Sequence, residues 1–229
     1  LIFLITCAQM IVVYVLSDSS NPTAGLGLYT VYFMAAMLGW IAFTLQQWAE
    51  VPMAVDIPSF AAILNTYLLF LACGQRAGFT RGRITLGGIC LMACLSVFFL
   101  PHQRMFVVQT ATAGLFFACA GGLCAWRAWQ RNNIGDAITA TAALLMVIGM
   151  PIAIYQWLVP GHTVVAQSIG FGVHTCAYAL VAMGFLASVV IEYQQHLSHL
   201  ATEDPLTRLL NRRGLETALH LSLAQASRQ

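Results

Sequence analysis

The stretch that decides the fold is Ala137–Val159, AITATAALLMVIGMPIAIYQWLV, which contains no charged residue. A membrane-spanning helix needs about 20 mainly apolar residues, because a helix rises ~1.5 Å per residue and the hydrocarbon core is ~30 Å thick. This stretch meets that requirement, and comparable apolar runs recur along most of the chain. The sequence therefore predicts an all-α membrane protein.

Composition supports this prediction and argues against a soluble domain, a nucleic-acid-binding protein and a disulfide-stabilised fold. Of the 229 residues, 59% are hydrophobic and 8% are charged, whereas about 25% of a soluble domain is charged. A net charge of +2 is too small to indicate a nucleic-acid surface. The seven cysteines show no Cys-x-x-Cys spacing, so we predict neither a disulfide framework nor a metal site. Because the chain starts inside an apolar run without a methionine, we expect it to be part of a longer protein.

Turn-forming residues divide the chain into about seven apolar segments, each a predicted transmembrane helix. The predicted spans are Leu1–Leu16, Ala24–Leu45, Pro58–Cys73, Ile84–Leu100, Met105–Trp126, Ala137–Val159 and Val164–Val190. Pro151 predicts a bend in the sixth span, since its ring removes a helical hydrogen bond. Gly114, Ala118 and Gly122 form a stripe of small residues on the fifth span, which favours close approach to another helix, either in the same bundle, which we favour, or in a second subunit.

The arginines predict the orientation of the chain. With seven spans, three arginine-containing segments lie on one side of the membrane: Arg76 to Arg83, Arg127 to Arg131, and the tail with Arg208, Arg212 and Arg213. Arginines concentrate on the cytoplasmic side of membrane proteins. We therefore predict that the C-terminus is cytoplasmic and that residues 1–190 form the transmembrane domain.

The segment after the last span is Asp204-Pro205-Leu206-Thr207-Arg208-Leu209-Leu210-Asn211-Arg212-Arg213. Asp204 and Asn211 both suit the N-cap of a helix, so a polar turn between two amphipathic helices is the simplest interpretation. The segment also resembles the N-terminal motif of the GGDEF family of diguanylate cyclases, although Arg208 replaces a glycine common there. The matching residues are Asp204, Leu206, Thr207, Leu209, Asn211, Arg212 and Arg213.

The resemblance implies that residues 204–229 begin an α/β GGDEF domain whose catalytic loop lies outside this chain. Enzymes of this family join two GTP molecules, with Mg²⁺, into cyclic di-GMP, and the resemblance implies the bacterial inner membrane. No catalytic residue is assigned here, so we expect the chain by itself to be inactive. Two other functions stay open: a receptor with a degenerate GGDEF-like domain or a following phosphodiesterase domain, and, with less support, a transporter.

Residues 191–203 are predicted to continue the last span as a cytoplasmic signalling helix. Val190, Tyr193, Leu197 and Leu200 alternate by three and four, the spacing of a coiled-coil seam. We call these four residues the seam. The family resemblance favours a parallel homodimer through the seam, because two catalytic domains must face each other. A single amphipathic helix lying against the next domain is the alternative.

Polar side chains inside the spans identify a candidate sensor pocket for an unknown ligand. The candidates are His174, Tyr178, Gln109 and Gln156. Ionisable groups at membrane depth are costly and usually face the interior of a helix bundle, where they mark functional sites. A neutral His174 that donates a hydrogen bond to a neighbouring helix is the alternative.

The predicted orientation can be tested by labelling single cysteines with a membrane-impermeant reagent in a variant without native cysteines. A cysteine at His162 should react in intact spheroplasts, whereas a cysteine at Ser198 should react only after the membrane is opened. Reaction of both on the same side would contradict the prediction that an odd number of spans separates them.

Overall fold

The computed structural model describes residues 6–9, 11–12, 24–48 and 56–202, together with Leu209, Asn211, Leu215 and Leu219. All regular structure in these residues is helical, and they contain no strand. This helical structure agrees with the predicted all-α membrane domain. The α/β part expected from the resemblance falls outside the described residues, as do Asp204, Leu206, Thr207, Arg212 and Arg213 of the motif.

Six helices follow one another in residues 24–48 and 56–202, and residues 6–9 and 11–12 are also helical. They are α1 (Leu26–Trp48), α2 (Ile57–Arg76), α3 (Arg83–Ser96), α4 (His102–Arg131), α5 (Ile134–Leu158) and α6 (Thr163–Thr202). All of these except α3 are long and apolar enough to cross a membrane. The protein is thus a membrane protein with five such helices among the described residues. The predicted second to seventh segments overlap α1 to α6 in order.

Helix α3 differs from its predicted span, Ile84–Leu100. It has 14 residues, which extend about 21 Å, less than the ~30 Å of the hydrocarbon core. Nevertheless, Asp56 before α2 and His102 at the start of α4 lie 2.7 Å apart, so both helices start from the same end. The segment that carries α3 must therefore run the length of the bundle. The total of seven membrane crossings remains a prediction.

The two ends of the bundle have different polar groups. One end, here called the arginine end, carries Arg76, Arg83 and Arg127. The other, the histidine end, carries His102 and His162 in its loops and helix starts. Helix α6 is the longest, at 40 residues, and it runs from the histidine end past the arginine end.

Local sequence explains where the helices begin. Asp56 accepts a hydrogen bond from the Ser59 N–H at 3.1 Å, and Pro58 occupies the first turn of α2, where no N–H is needed. Asn133 caps α5 in the same way, by accepting from the Gly135 N–H at 2.9 Å. Asn132, with φ of 48°, ends α4 just before it. The two asparagines thus make the tight turn between α4 and α5.

Small residues bring α5 and α6 together at two levels. A Cβ atom on Gly184 would lie 2.5 Å from Thr139 Oγ1 and 2.7 Å from the Gly135 carbonyl oxygen. Nearer the histidine end, a Cβ atom on Gly149 would lie 2.7 Å from the Val173 side chain. Contacts this short exclude any larger residue unless the neighbouring atoms shift.

The predicted stripe of small residues on α4 does not make the close contact. Ala118 and Gly122 are exposed, and a Cβ atom on Gly122 would meet nothing within 4 Å among the described residues. Gly121, one residue earlier, packs tightly against Ala143 of α5 instead. Within the bundle the close contact is thus made by a neighbouring face of α4, and a contact of the stripe with a second subunit remains a prediction.

We expect Gly184→Ala to lower the stability of the protein by about 1–3 kcal/mol, because the new methyl group overpacks the α5–α6 contact. Gly172→Ala on the same helix is the matched control, since nothing lies within 4 Å of a Cβ atom there. Thermal unfolding in detergent measures both. Equal stability of the two variants would contradict the tight α5–α6 packing.

Candidate functional site

Two arginines are buried at the arginine end of the bundle. Arg76, the last residue of α2, is 6% exposed, and Arg127 of α4 is 5% exposed. Burying a charged side chain is strongly unfavourable unless an opposite charge and hydrogen bonds compensate. The partners of these two arginines therefore decide how the helices fit together.

Glu192 of α6 is the shared partner of both arginines. Its Oε1 atom accepts a hydrogen bond from Arg76 Nη2 at 2.9 Å and another from Arg127 Nη2. Arg76 also donates to Ser188 Oγ at 2.7 Å, and its guanidinium carbon lies 5.7 Å from the ring centroid of Phe185. One face of α6 is thus held by α2 and α4 over two helical turns.

Helix α5 supplies the second carboxylate. Asp136 Oδ2 lies 3.4 Å from Arg127 Nε, and Asp136 Oδ1 accepts from Ser188 Oγ at 3.0 Å. Asn133 donates to the Ser188 carbonyl oxygen at 3.2 Å. We call Arg76, Arg127, Asp136, Ser188 and Glu192 the arginine clamp. It joins four helices and has two positive and two negative formal charges.

The clamp is electrically balanced, but its hydrogen bonds are not complete. Arg127 Nε and Nη1 and Asp136 Oδ2 have no hydrogen-bond partner among the described residues. Incompletely paired polar groups in a buried network weaken the preference for a single arrangement. The clamp therefore fixes the position of α6 while leaving donors and an acceptor that a second arrangement could use.

Sequence reasoning did not find the clamp, because it used the arginines only as evidence for orientation. A usable signal was present in the acidic residues. The described part of the chain contains three of them: Asp136 and Glu192 pair with arginine, and Asp56 forms a hydrogen bond with His102. In a chain with so few carboxylates, each one near a span indicates a specific partner.

A cavity of about 820 Å³ opens in the half of the bundle nearer the histidine end. Its walls are stripes of residues spaced by three or four on α1, α2, α4 and α6. The stripes are Ala36, Gly39, Trp40 and Phe43; Ser59, Ala62 and Asn65; His102, Phe106, Gln109 and Ala113; and Gln167, Phe171, His174 and Tyr178. The volume is within the range of pockets for small molecules, which is about 300–1,000 Å³.

Aromatic packing between α1 and α6 explains where the cavity forms. Towards the arginine end, Tyr29 stacks on Phe185 with centroids 4.1 Å apart, and Phe33 packs against Tyr178 at 6.0 Å. Towards the histidine end, Trp40 meets Phe171 at 5.4 Å. Between these contacts α1 presents Ala36 and Gly39, which are too small to fill the gap.

Three of the four predicted pocket residues line this cavity. His174, Tyr178 and Gln109 are in its wall. Gln156 is not, because its Oε1 atom lies 2.7 Å from His162 Nδ1 at the histidine end of the bundle. A position inside the sixth predicted span could not by itself show which way Gln156 points.

His174 and Tyr178 have different surroundings. The Tyr178 hydroxyl lies 2.8 Å from Thr6 Oγ1, so it is hydrogen-bonded within the bundle. The ring of His174 meets the edge of Phe117 at 6.4 Å, and no described residue forms a hydrogen bond with its ring nitrogens. The alternative of a histidine bonded to a neighbouring helix is therefore not what the described residues show.

Sequence reasoning did not assign the rest of the polar lining to the pocket. Asp56 and His102 pair at the histidine end, and one turn deeper Ser59 donates to Gln109 Oε1 at 2.7 Å. Asn65 lies deeper in the lining and is 5% exposed. The signal in the sequence was that Ser59 and Asn65 are polar residues inside a predominantly apolar segment.

The seam on α6 is only partly covered within the chain. Val190 and Leu197 are 52% and 59% exposed, whereas Tyr193 packs partly against the core of the bundle. The side chain of Leu200 lies outside the described residues. In the motif, Leu209 is exposed, and the Asn211 carbonyl oxygen accepts a hydrogen bond from the Leu215 N–H at 2.9 Å.

No family model, curated protein or solved structure matches the chain. Within the described residues, no group of three histidine, cysteine, aspartate or glutamate side chains could hold a metal ion. The candidate functional features are thus the cavity, the arginine clamp and the helix α6 that joins them.

We expect Glu192→Ala to destabilise the protein by on the order of 3 kcal/mol, because it leaves two buried guanidinium groups with a single carboxylate. Gln195→Ala, at an exposed position of the same helix, is the matched control. The double variant Arg127→Leu/Glu192→Leu should recover part of the loss by balancing the remaining charges. Thermal unfolding in detergent measures all three, and a Glu192→Ala variant as stable as the control would contradict the clamp.

Proposed function

We propose that this chain is the membrane sensor part of a diguanylate cyclase. In this proposal the transmembrane domain lies in the bacterial inner membrane, and α6 leaves it on the cytoplasmic side. The GGDEF domain that begins at Asp204 then uses GTP and Mg²⁺ to make cyclic di-GMP. The resemblance of the motif supports the catalytic part of the proposal, and the geometry of α6 supports the sensor part.

The observation that carries the proposal is the continuity of α6. The helix contributes His174 to the cavity and Glu192 to the arginine clamp, and it continues to Thr202, two residues before Asp204. At ~1.5 Å per residue, His174 and Thr202 are about 42 Å apart along one helix. Because the helix is continuous, it can carry a rotation or a displacement over that distance, and no other structural element is needed.

The proposed mechanism uses two arrangements of α6. A ligand in the cavity contacts α6 at Phe171 and His174, and it shifts the population only if it binds one arrangement more tightly. A tenfold difference in affinity corresponds to about 1.4 kcal/mol, which is comparable with a single apolar contact. The clamp keeps the number of arrangements small, because buried charges must stay paired.

The proposed output is a parallel homodimer. Val190 and Leu197 are exposed on α6, while Glu192 on another face binds the arginines. One helix could therefore remain held by its own bundle and still pair with a second copy through the seam. A change in the rotation of α6 would then alter how the two GGDEF domains face each other.

Insertions into α6 of the full-length protein test this proposal. Four residues inserted after His196 would rotate the following domain by about 40°, whereas seven would change its direction by about 20°. The insertion site lies beyond the clamp, so the transmembrane domain should stay intact. We expect cyclic di-GMP production to be higher with seven inserted residues than with four.

The seven-residue insertion also serves as the control for length. Output that falls steadily from four to seven residues would show that the segment after His196 is a flexible tether. Absence of cyclic di-GMP production by the unmodified full-length protein would reject the diguanylate cyclase function itself.

A further inference from the structure

We propose that the cavity binds a flat, uncharged carbonyl compound, the class to which quinones belong. The inference deepens the proposed function by naming the class of its ligand, and it rests on that function only for the effect on cyclic di-GMP output. Binding itself can be tested separately. Three features of the lining lead to this class: its charge, its aromatic walls and its two accessible hydrogen-bond donors.

The charge of the lining disfavours ions. It contains no arginine or lysine, so an anion would lose its hydration without meeting a permanent positive charge. The one carboxylate, Asp56, already lies 2.7 Å from His102 Nδ1 and accepts from the Ser59 N–H. A cation would have to displace His102 to reach it. A neutral ligand meets neither obstacle.

The walls near the histidine end are aromatic on two sides. Trp40, Phe43 and Phe171 form one group, with centroid distances of 5.4 to 6.2 Å. On α4, Phe106 is held flat against Trp157, with centroids 4.3 Å apart and 24° between the rings. Rings fixed in this way favour a flat ligand that packs by stacking or edge contacts.

Gln109 of α4 supplies the first donor. Its Oε1 atom accepts from the Ser59 hydroxyl at 2.7 Å, so the acceptor of this amide is already occupied. Its Nε2 atom has no hydrogen-bond partner among the described residues, yet the protein does not enclose it, unlike the unpaired Oδ1 atom of Asn65. An amide nitrogen only donates, so a partner inside the cavity must carry an acceptor.

His174 of α6 supplies the second donor. Its ring nitrogens form no hydrogen bond with a described residue, and neither of them is enclosed by the protein. A neutral imidazole carries one N–H group, whichever nitrogen holds the proton. His174 can therefore donate to an oxygen atom of a ligand. A ligand without an acceptor would leave both donors unpaired in a largely apolar cavity, which is unfavourable.

A carbonyl oxygen meets these requirements, because it is an acceptor that brings neither a charge nor a donor. Gln109 and His174 belong to different helices, so a molecule with a carbonyl oxygen on each of two edges, as a quinone has, can pair with both. A carboxylate is disfavoured by its charge, and a hydrocarbon lacks the acceptor. A flat, uncharged carbonyl compound thus fits all three features of the lining.

Two compounds of the same outline test the inference. Duroquinone has two carbonyl oxygens and a fully substituted ring, which disfavours reaction with cysteine. In hexamethylbenzene, methyl groups replace both oxygens. Binding of each to the full-length protein in nanodiscs is measured from the free concentration after filtration, with protein-free nanodiscs subtracted to remove partition into lipid. We expect saturable binding of duroquinone that is about tenfold tighter than that of hexamethylbenzene, the ratio that one hydrogen bond of ordinary strength gives.

Variants assign the preference to the two donors. Gln109→Met removes the amide at similar length, and His174→Phe keeps a flat ring but removes the N–H. Each should reduce the preference for duroquinone, and the double variant should bind both compounds equally. Gln103→Met is the matched control, because Gln103 is an exposed residue of α4 outside the lining, and it should keep the tenfold preference. The comparison of the two compounds on the unmodified protein needs no variant to fold.

The outcomes separate this inference from the proposed function. Equal affinities of the unmodified protein for the two compounds, or no saturable binding of either, would overturn the ligand class. A preference that persists in the double variant would also overturn it, whereas a preference that the double variant loses would establish the site. If duroquinone then leaves cyclic di-GMP production unchanged, the site stands and the sensor function fails.

Discussion

The structure depends on one interaction: the Glu192 carboxylate accepts hydrogen bonds from both Arg76 and Arg127. Each arginine comes from a different helix, and neither can be buried without a carboxylate. Glu192 therefore sets the rotation and height of α6 relative to α2 and α4, and Asp136 brings α5 into the same set of contacts through Arg127. Such a cluster adds little net stability, because removing charges from water offsets most of their attraction. Its main effect is to reject arrangements in which a charge is unpaired.

The clamp and the cavity divide α6 into two parts with different packing. Near the clamp, Gly135, Thr139 and Gly184 bring the helices into close contact, so a displacement of α6 is resisted by backbone atoms. Near the cavity, contact between α1 and α6 depends on aromatic rings on either side of Ala36 and Gly39. Ring contacts can rearrange at lower cost than backbone contacts. A ligand in the cavity would thus act on the more deformable part of α6. The clamp limits α6 to the few positions in which the buried charges stay paired.

Helix positions were largely predictable, and the candidate site was predictable only in part. The lengths of the apolar runs predicted α1 to α6 within a few residues, except that α3 ends before Leu100. The last helix continues past Val190 to Thr202, as predicted. His174, Tyr178 and Gln109 line the cavity whereas Gln156 does not, and the role of these residues in sensing remains a prediction. Spacing cannot distinguish the two faces of a helix that is apolar on both, so it could not show that Gly121 rather than Gly122 packs against α5.

The sequence by itself determined that the chain lies in a membrane and where most of its helices run, because hydrophobic length depends only on local composition. It also provided the motif from Asp204 to Arg213, on which the proposed catalytic function rests. Only the tertiary structure decided which polar groups meet. Arg76 and Glu192 are far apart in the chain, and they meet because the long Arg76 side chain at the end of α2 reaches α6 in the folded bundle. The cavity likewise exists because small residues on α1 lie opposite α6, a relation between helices that no single segment contains.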